Sequence, residues 1–308
     1  LNHSVLTLSD RDIVSYYRSI KDIDGSKTLN KKLIEIISNY VPDLLVLGHA
    51  DLIKKETLSF IKKEYPDIKI AQWFLDRMDT KWKNNKIRFL DKIRYMDYSF
   101  CTTDPRALNL DKYKVSFIPN PVDESLDDMR VYENKFAEFD LFFAMSHGVH
   151  RGVLKKGKFD QRENFINNLI KKNPKLKFNI FGMNNIQPIW GDEFKNNLYN
   201  SKIALNLSQG KPLKYYSSDR IAQLMGNGIA TLIDKKTKLD DLFSSDGAIF
   251  YNSLNDLNIK LNKLVKNDNE RNRIAKKGKL NYHKNFNSTQ VADFMVCKVF
   301  NINKKFSW

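Results

Sequence analysis

Two loops gather the residue types that could manage negative charge. The segment LSQGKPLKYYSSDRIAQLM (207 to 225) sets Lys211 and Lys214 beside the pair Tyr215 and Tyr216. Ser217, Ser218, Asp219 and Arg220 follow at the start of a helix-like run. Ser217, Ser218 or Asp219 can each cap that helix, and amides left unpaired near its start can receive phosphate oxygens. An ordinary capped helix with a basic loop would use the same residues, so position in the fold has to decide. The segment SHGVHRGVLKKGK (146 to 158) places His147, His150, Arg151, Lys155, Lys156 and Lys158 among glycines. Glycines let the backbone approach a ligand and the cations can neutralise phosphate charge; a solvated basic loop is the plainer alternative. The two histidines lack further residues of a zinc-type ligand set, so no metal is expected in the site.

These segments need a frame that presents them. Short apolar runs alternate with longer amphipathic ones, which predicts an α/β chain with parallel sheets wrapped by helices. A first unit reads as strand 4–9, helix 27–40, strand 43–48, helix 55–65, strand 69–75, helix 81–96 and strands 98–103 and 114–120. After the polar stretch PVDESLDDMRVYENKFAE (121 to 138), a second unit reads as strand 139–145, helix 161–173, strand 177–182, helix 191–201 and strand 202–208. The helix SDRIAQLMGNG, strands IATLID and AIFYN, helices 254–266 and 268–285, and a last helix from about 288 complete it. Two tandem Rossmann-like domains are therefore expected, 1–120 and 121–287, with the C-terminal helix (288–308) crossing back to the first. The opening LNHSVLTLS enters a strand at once, so a first strand and helix of the N-terminal domain are expected to precede residue 1.

In open α/β sheets, ligands bind beyond the carboxyl ends of the strands. Two such units facing each other across a cleft would make one site. The strand-end residues are then Gly48, His49 and Asp51; Asp76, Arg77 and Asp79; Asn120; Ser146 to Gly157; Gly182 and Met183; and Ser208 to Arg220.

Composition narrows the class. With 308 residues of which 42% are hydrophobic, two cores of ordinary size can be buried. The formal charge of +16, from 52 Lys+Arg against 36 Asp+Glu, favours an anionic partner: a nucleotide, a polyphosphate, nucleic acid or an anionic membrane surface. The basic residues are spread through both units without a recognised nucleic-acid module, so nucleic acid is not expected. Cys101 and Cys297 are too few for a disulfide framework, and no apolar run approaches the ~20 residues that span a bilayer. A cytoplasmic protein, at most peripheral to an anionic membrane, is expected.

The order of features resembles the GT-B glycosyltransferases, in particular the C-terminal domain shared by spore-maturation-protein-like and family-4-like sugar transferases. VSFIPNPVD resembles the interdomain strand of that group, FFAMSHGVHRG its first C-domain strand and basic loop, and FNIFGMNN its nucleobase-side strand end. YNSKIALNLS is similar to the segment before the donor loop, and SSDRIAQLMGNGIATLID resembles the Ser-x-Arg-x-x-Glu-x-x-x-x-Gly run. In the N-terminal half, VPDLLVLG and AQWFLDRMD resemble the group's strand ends. Where the pattern has a glutamate that hydrogen-bonds the donor ribose, this chain has Gln223, whose amide can still accept from a ribose hydroxyl.

The resemblance implies a C-terminal domain that holds a nucleoside-diphosphate sugar, with Gly182 and Met183 on the base side, and an N-terminal domain that holds a glycan or lipid-linked acceptor. Breaking the anomeric bond leaves negative charge on the diphosphate, and without an essential metal or other cofactor fixed cations and amides must meet it. The candidates are Arg151, Lys158, Lys214, Ser217, Ser218 and Arg220, the last acting either as a ligand or as a brace for the loop. Tyr215 and Tyr216 can pack on sugar or base, or belong to the core. Asp76, then His49, are candidates for the base that accepts the acceptor's proton. A sugar-nucleotide epimerase of the same architecture and a basic nucleic-acid-binding protein are the alternatives.

Overall fold

The computed structural model describes residues 1–146, 160–243 and 246–308. It divides into two compact units, Leu1–Ile118 with Ala292–Lys304, and Pro119–Val291 with Lys305–Trp308.

The first unit runs α1 (Asp10–Tyr16), α2 (Ser26–Tyr40), β1 (Leu44–Gly48), α3 (Lys55–Glu64), β2 (Lys69–Phe74), α4 (Lys83–Asp91), β3 (Tyr98–Cys101) and β4 (Val115–Phe117). Its four strands are all parallel, in the order β1-β2-β3-β4. Leu29, Leu33 and Ile37 recur every four residues along α2, so one stripe of that helix is buried. Leu58 and Ile61 of α3 and Ile70 of β2 pack in the same cluster.

Two expectations fail here. Residues 4–9 form no strand; Val5 and Leu6 are exposed and none of the four strands pairs with them. An extended segment without a hydrogen-bonding neighbour leaves its amides to water and has no reason to stay straight. The helix expected over 81–96 breaks at Lys92, whose side chain turns inward and donates from Nζ to the Ala50 carbonyl, and a short 3-10 helix (Ile93–Tyr95) follows. The strand order also runs in one direction, so this sheet has no point of reversal among the described residues.

The second unit comprises β5 (Phe139–Ala144), α5 (Gln161–Lys172), β6 (Phe178–Phe181), α6 (Gly191–Tyr199), β7 (Ser201–Asn206), α7 (Arg220–Gly226), β8 (Ala230–Asp234), β9 (Ile249–Tyr251), α8 (Leu254–Val265) and α9 (Asp268–Asn285). The helix α10 (Ser288–Val299) then carries the chain back into the first unit after Val291. All five strands are parallel, in the order β6-β5-β7-β8-β9. Leu141, Phe142 and Phe143 on β5 are fully buried on both faces of the sheet, as a central parallel strand requires. Each such side chain removed from water contributes roughly 1.5–3 kcal/mol.

The chain leaves the first unit and returns to it along paired backbones. Val122 donates from its amide to the Phe286 carbonyl (3.0 Å), and the Ser288 amide donates back to the Val122 carbonyl (2.9 Å). Val122 and Asn287 form a parallel bridge.

Candidate functional site

The strand order of the second sheet reverses once. From β5 the chain goes outward to β6, then crosses back past β5 to β7 and continues to β9. At such a point the two crossovers lie on opposite faces, which opens a crevice at the carboxyl ends of the two central strands.

Arg220, the first residue of α7, reaches into that point. Its Nε donates to the carbonyl of Ala144 at the end of β5 (3.0 Å), and one terminal nitrogen donates to the carbonyl of Leu207 just after β7 (3.1 Å). The guanidinium carbon lies 5.4 Å from the centre of the Phe143 ring. Burial, aided by the charge of Arg162, pulls its pKa from the ordinary 12.5 to about 10, so it remains a cation at neutral pH. No carboxylate pairs with it among the described residues. The half-buried charge is met by two carbonyl dipoles and the Phe143 ring, with Asp160 and Asp219 acting on it from beyond ion-pair distance.

Arg162 is handled differently. It is buried against Asp160, donating from Nε to Oδ1 (3.0 Å) and from a terminal nitrogen to Oδ2 (2.8 Å). Asp160 also caps α5 in a reciprocal box with Glu163, and Gln209, in the loop after β7, donates to its Oδ2 (3.1 Å). The start of α5 and the loop leaving β7 are thus tied together. Sequence reasoning reached Gln209 only within the range Ser208 to Arg220 and passed over Asp160; the spacing Asp160–Glu163 is the capping-box signal that could have found it.

The loop from 208 to 220 gathers most of the expected residues in the second unit. Ser217 is buried, with its hydroxyl 3.1 Å from Asn206 Oδ1 and 3.0 Å from the Ser218 carbonyl. The hydroxyl of Ser218 is buried with no hydrogen-bond partner among the described residues. Asp219 precedes α7 without capping it through its side chain, so neither serine nor aspartate plays the expected cap. Tyr215 sits in the left-handed region (φ 61°), its hydroxyl donating to Asp241 Oδ2 (3.1 Å) and its ring lying 4.7 Å from the Lys214 ammonium. Tyr216 is half-buried beside it, and neither tyrosine belongs to a core cluster. Gln223, one turn into α7, is half-buried and its side-chain amide has no hydrogen bond among the described residues.

Gly182 turns the chain after β6 with φ at 78°, and a Cβ there would stand 1.6 Å from the Met145 carbonyl. Met183 does not offer its side chain to a ligand: it is fully buried in the core against the sheet, which leaves only its backbone at the strand end. Arg151 and Lys158, like His147 and His150, lie outside the described residues.

In the first unit, His49 and Asp76 stand at the ends of the adjacent strands β1 and β2. His49 and Ala50 both take left-handed backbone (φ 59° and 42°), and the imidazole stacks on Phe74 with ring centres 4.3 Å apart. Asp76 is exposed and makes no hydrogen bond among the described residues. Its neighbour Arg77 is buried, bound to Asp79 through two hydrogen bonds (2.6 and 2.8 Å) and stacked on Trp82. That pairing makes Arg77 part of the scaffold. Among the described residues no group of three His, Cys, Asp or Glu side chains could hold a metal ion, and no helix is long and apolar enough to cross a membrane.

Residues 161–296, which include the switch-point arginine and Gln223, match the family model described as "Glycosyl transferase-like". The matched stretch covers most of the C-terminal unit. Solved structures extend the likeness to the fold of both units. Sucrose-phosphate synthase from Thermosynechococcus elongatus is similar at 11% identity and a TM-score of 0.57, over 93% of this chain and 81% of that one. A UDP-forming α,α-trehalose-phosphate synthase from Burkholderia xenovorans is similar at 9% identity and a TM-score of 0.59, over 94% and 81%. HepE from Anabaena, solved in complex with UDP, is similar at 9% identity and a TM-score of 0.56, over 89% and 82%. The fold is that of GT-B glycosyltransferases, and the enzyme class that follows from the family match is glycosyltransferase. No curated protein matches in sequence.

Proposed function

We propose that the glycosyl transferase-like unit binds a nucleoside-diphosphate sugar at its strand-order reversal and that the enzyme transfers the sugar to a glycan or lipid-linked acceptor without a metal. The observation that carries this reading is Arg220: a half-buried cation at the switch point, hydrogen-bonded to two carbonyls and in no ion pair among the described residues. A partly desolvated charge without a close counter-charge is costly, and an anion arriving there offsets the cost. The diphosphate of a sugar donor is such an anion, and it gains negative charge as the anomeric carbon–oxygen bond breaks. Arg220 and the Ser218 hydroxyl would stabilise that charge, with Lys214 at the loop's outer side. Gln223 would accept from a ribose hydroxyl through its free carbonyl. The acceptor hydroxyl bonds to the anomeric carbon and gives its proton to Asp76, which is exposed and uncommitted, or to His49. The neighbours solved with UDP or described as UDP-forming support a uridine donor as the first to try.

The test is incubation of the full chain with a panel of UDP- and GDP-sugars and candidate glycan acceptors, reading nucleoside diphosphate release and glycosylated product, with and without a chelator. Acceptor-dependent release unaffected by the chelator is expected. Interconversion of the sugar nucleotide without acceptor would replace transfer by epimerisation, and absence of both turnover and binding across the panel would sink the reading. Arg220→Met should weaken UDP binding at least about tenfold, the scale of a lost charge-assisted hydrogen bond. Titration calorimetry checks this.

A further inference from the structure

Asn120 lies where the chain has just entered the second unit, two residues after Ile118. It is 5% exposed, yet it belongs to no helix or strand. Its side-chain amide donates to the carbonyl of Ser217 (3.0 Å), ninety-seven residues away, and its own carbonyl accepts from the hydroxyl of Tyr282 on α9 (2.7 Å). Two residues on, Val122 is held between Phe286 and Ser288. The crossing segment is therefore fixed to the helices behind it, and Asn120 is the single described side chain that extends this anchorage to the Ser217–Arg220 corner.

The corner needs that support. Ser217 is tied on its other side to Asn206 at the end of β7. Between these two asparagines the loop turns without a side-chain cap, and the Ser218 hydroxyl and Asn120 Oδ1 are both buried without a hydrogen-bond partner among the described residues. A corner whose buried polar groups are incompletely satisfied is held by its surroundings, and such positions recur at ligand sites.

We propose that Asn120 is a positioning residue for donor binding, holding the Ser217 carbonyl so that Ser218 and Arg220 stand in place before the donor arrives. The inference rests on the donor reading above for its binding consequence, though not for its structural one. A preorganised loop binds without the cost of ordering itself. Removing the amide leaves the Ser217 carbonyl buried without that donor and frees the corner to move.

The experiment compares the full-length wild type with Asn120→Ala, Asn120→Asp and Tyr282→Phe. Asn120→Asp keeps the size but cannot donate to the carbonyl; Tyr282→Phe removes the other hydrogen bond of the same residue and serves as the control for general loosening. Two readouts are taken. The first is amide hydrogen exchange over residues 213–221 without ligand, and the second is affinity for UDP and GDP by calorimetry. Both Asn120 variants should speed exchange in that segment and raise the dissociation constant about tenfold, the effect of one lost buried hydrogen bond. Tyr282→Phe should leave exchange at 213–221 and affinity within about twofold, even where its melting temperature falls as far. Unchanged exchange in the Asn120 variants overturns the proposal outright. Faster exchange with unchanged nucleotide affinity overturns the binding role, and faster exchange with neither nucleotide bound by the wild type overturns the donor reading itself.

Discussion

Gly182 leaves no room for any other residue. A Cβ would stand 1.6 Å from the Met145 carbonyl in a left-handed turn, so Gly182→Ala must displace the backbone between β5 and β6. A loss of at least ~2 kcal/mol is expected, measured as a lowered midpoint in urea. Tyr251 argues the opposite way. Its hydroxyl is buried with no hydrogen-bond partner among the described residues, and burial drives its pKa far above the ordinary 10.0. Tyr251→Phe should therefore hold or raise stability, by up to ~1 kcal/mol, and a lower urea midpoint would show that the hydroxyl is satisfied in solution. At this scale the sequence was legible where spacing carries the meaning. Arg220 and Gln223 fall three residues apart on the turn that the Ser-x-Arg-x-x-Glu pattern implies, and the choice left open for Arg220 between ligand and brace turns out to include the brace, since it bridges two strand ends. Met183 was legible only as a position: a strand-end residue can point either way, and here the side chain went into the core.

Elements were legible to the extent that their pattern is self-contained. The helices α2, α3, α5, α8 and α9 announce themselves by apolar spacing and by caps such as Ser253 and Asn267. The strand expected over residues 4–9 had the right alternation but no neighbour, and pairing is not a local property. Strand order was invisible for the same reason, and with it the crevice that Arg220 occupies. Asp97 shows how elements are joined and how acid would part them. Its partial burial alone would raise its pKa, but hydrogen bonds from Lys62 on α3 and from the Ile70 amide on β2, with the Lys62 charge, outweigh this and hold it below the ordinary 3.8. A depressed carboxylate stabilises the fold above its unfolded pKa and loses that contribution as pH falls through the folded value. Asp97→Asn should lower the melting temperature at pH 7, and the gap to wild type should close between about pH 4 and pH 2, where the wild-type carboxylate protonates too.

Over the whole molecule, the four tryptophans divide evenly: Trp73 and Trp82 in the first unit, Trp190 and Trp308 in the second. Replacing Trp73 and Trp82 by Phe leaves a fluorescence signal from the second unit alone. If that unit carries the donor site, UDP at a hundred times its dissociation constant should stabilise the reported transition by about 2.7 kcal/mol, or several degrees. The complementary variant, Trp190 and Trp308 to Phe, reports on the first unit, and an equal shift there would mean that the two units unfold together. The +16 charge, which first suggested an anionic partner, is spread over many exposed lysines, whereas the proposed donor site rests on one half-buried arginine.

The backbone bridge at Val122 has one more consequence. Residues 119 to 291 leave and rejoin the first unit at neighbouring points, since the outgoing chain at Val122 and the returning chain at Asn287 are hydrogen-bonded side by side. Apart from the last four residues, the glycosyl transferase-like unit is thus a guest domain, spliced into its host at two adjacent cuts. Adjacent ends are what allow a domain to be inserted into, or lifted out of, another protein. If the donor is held as proposed, a lineage that exchanged the host while keeping this guest would leave the donor machinery intact.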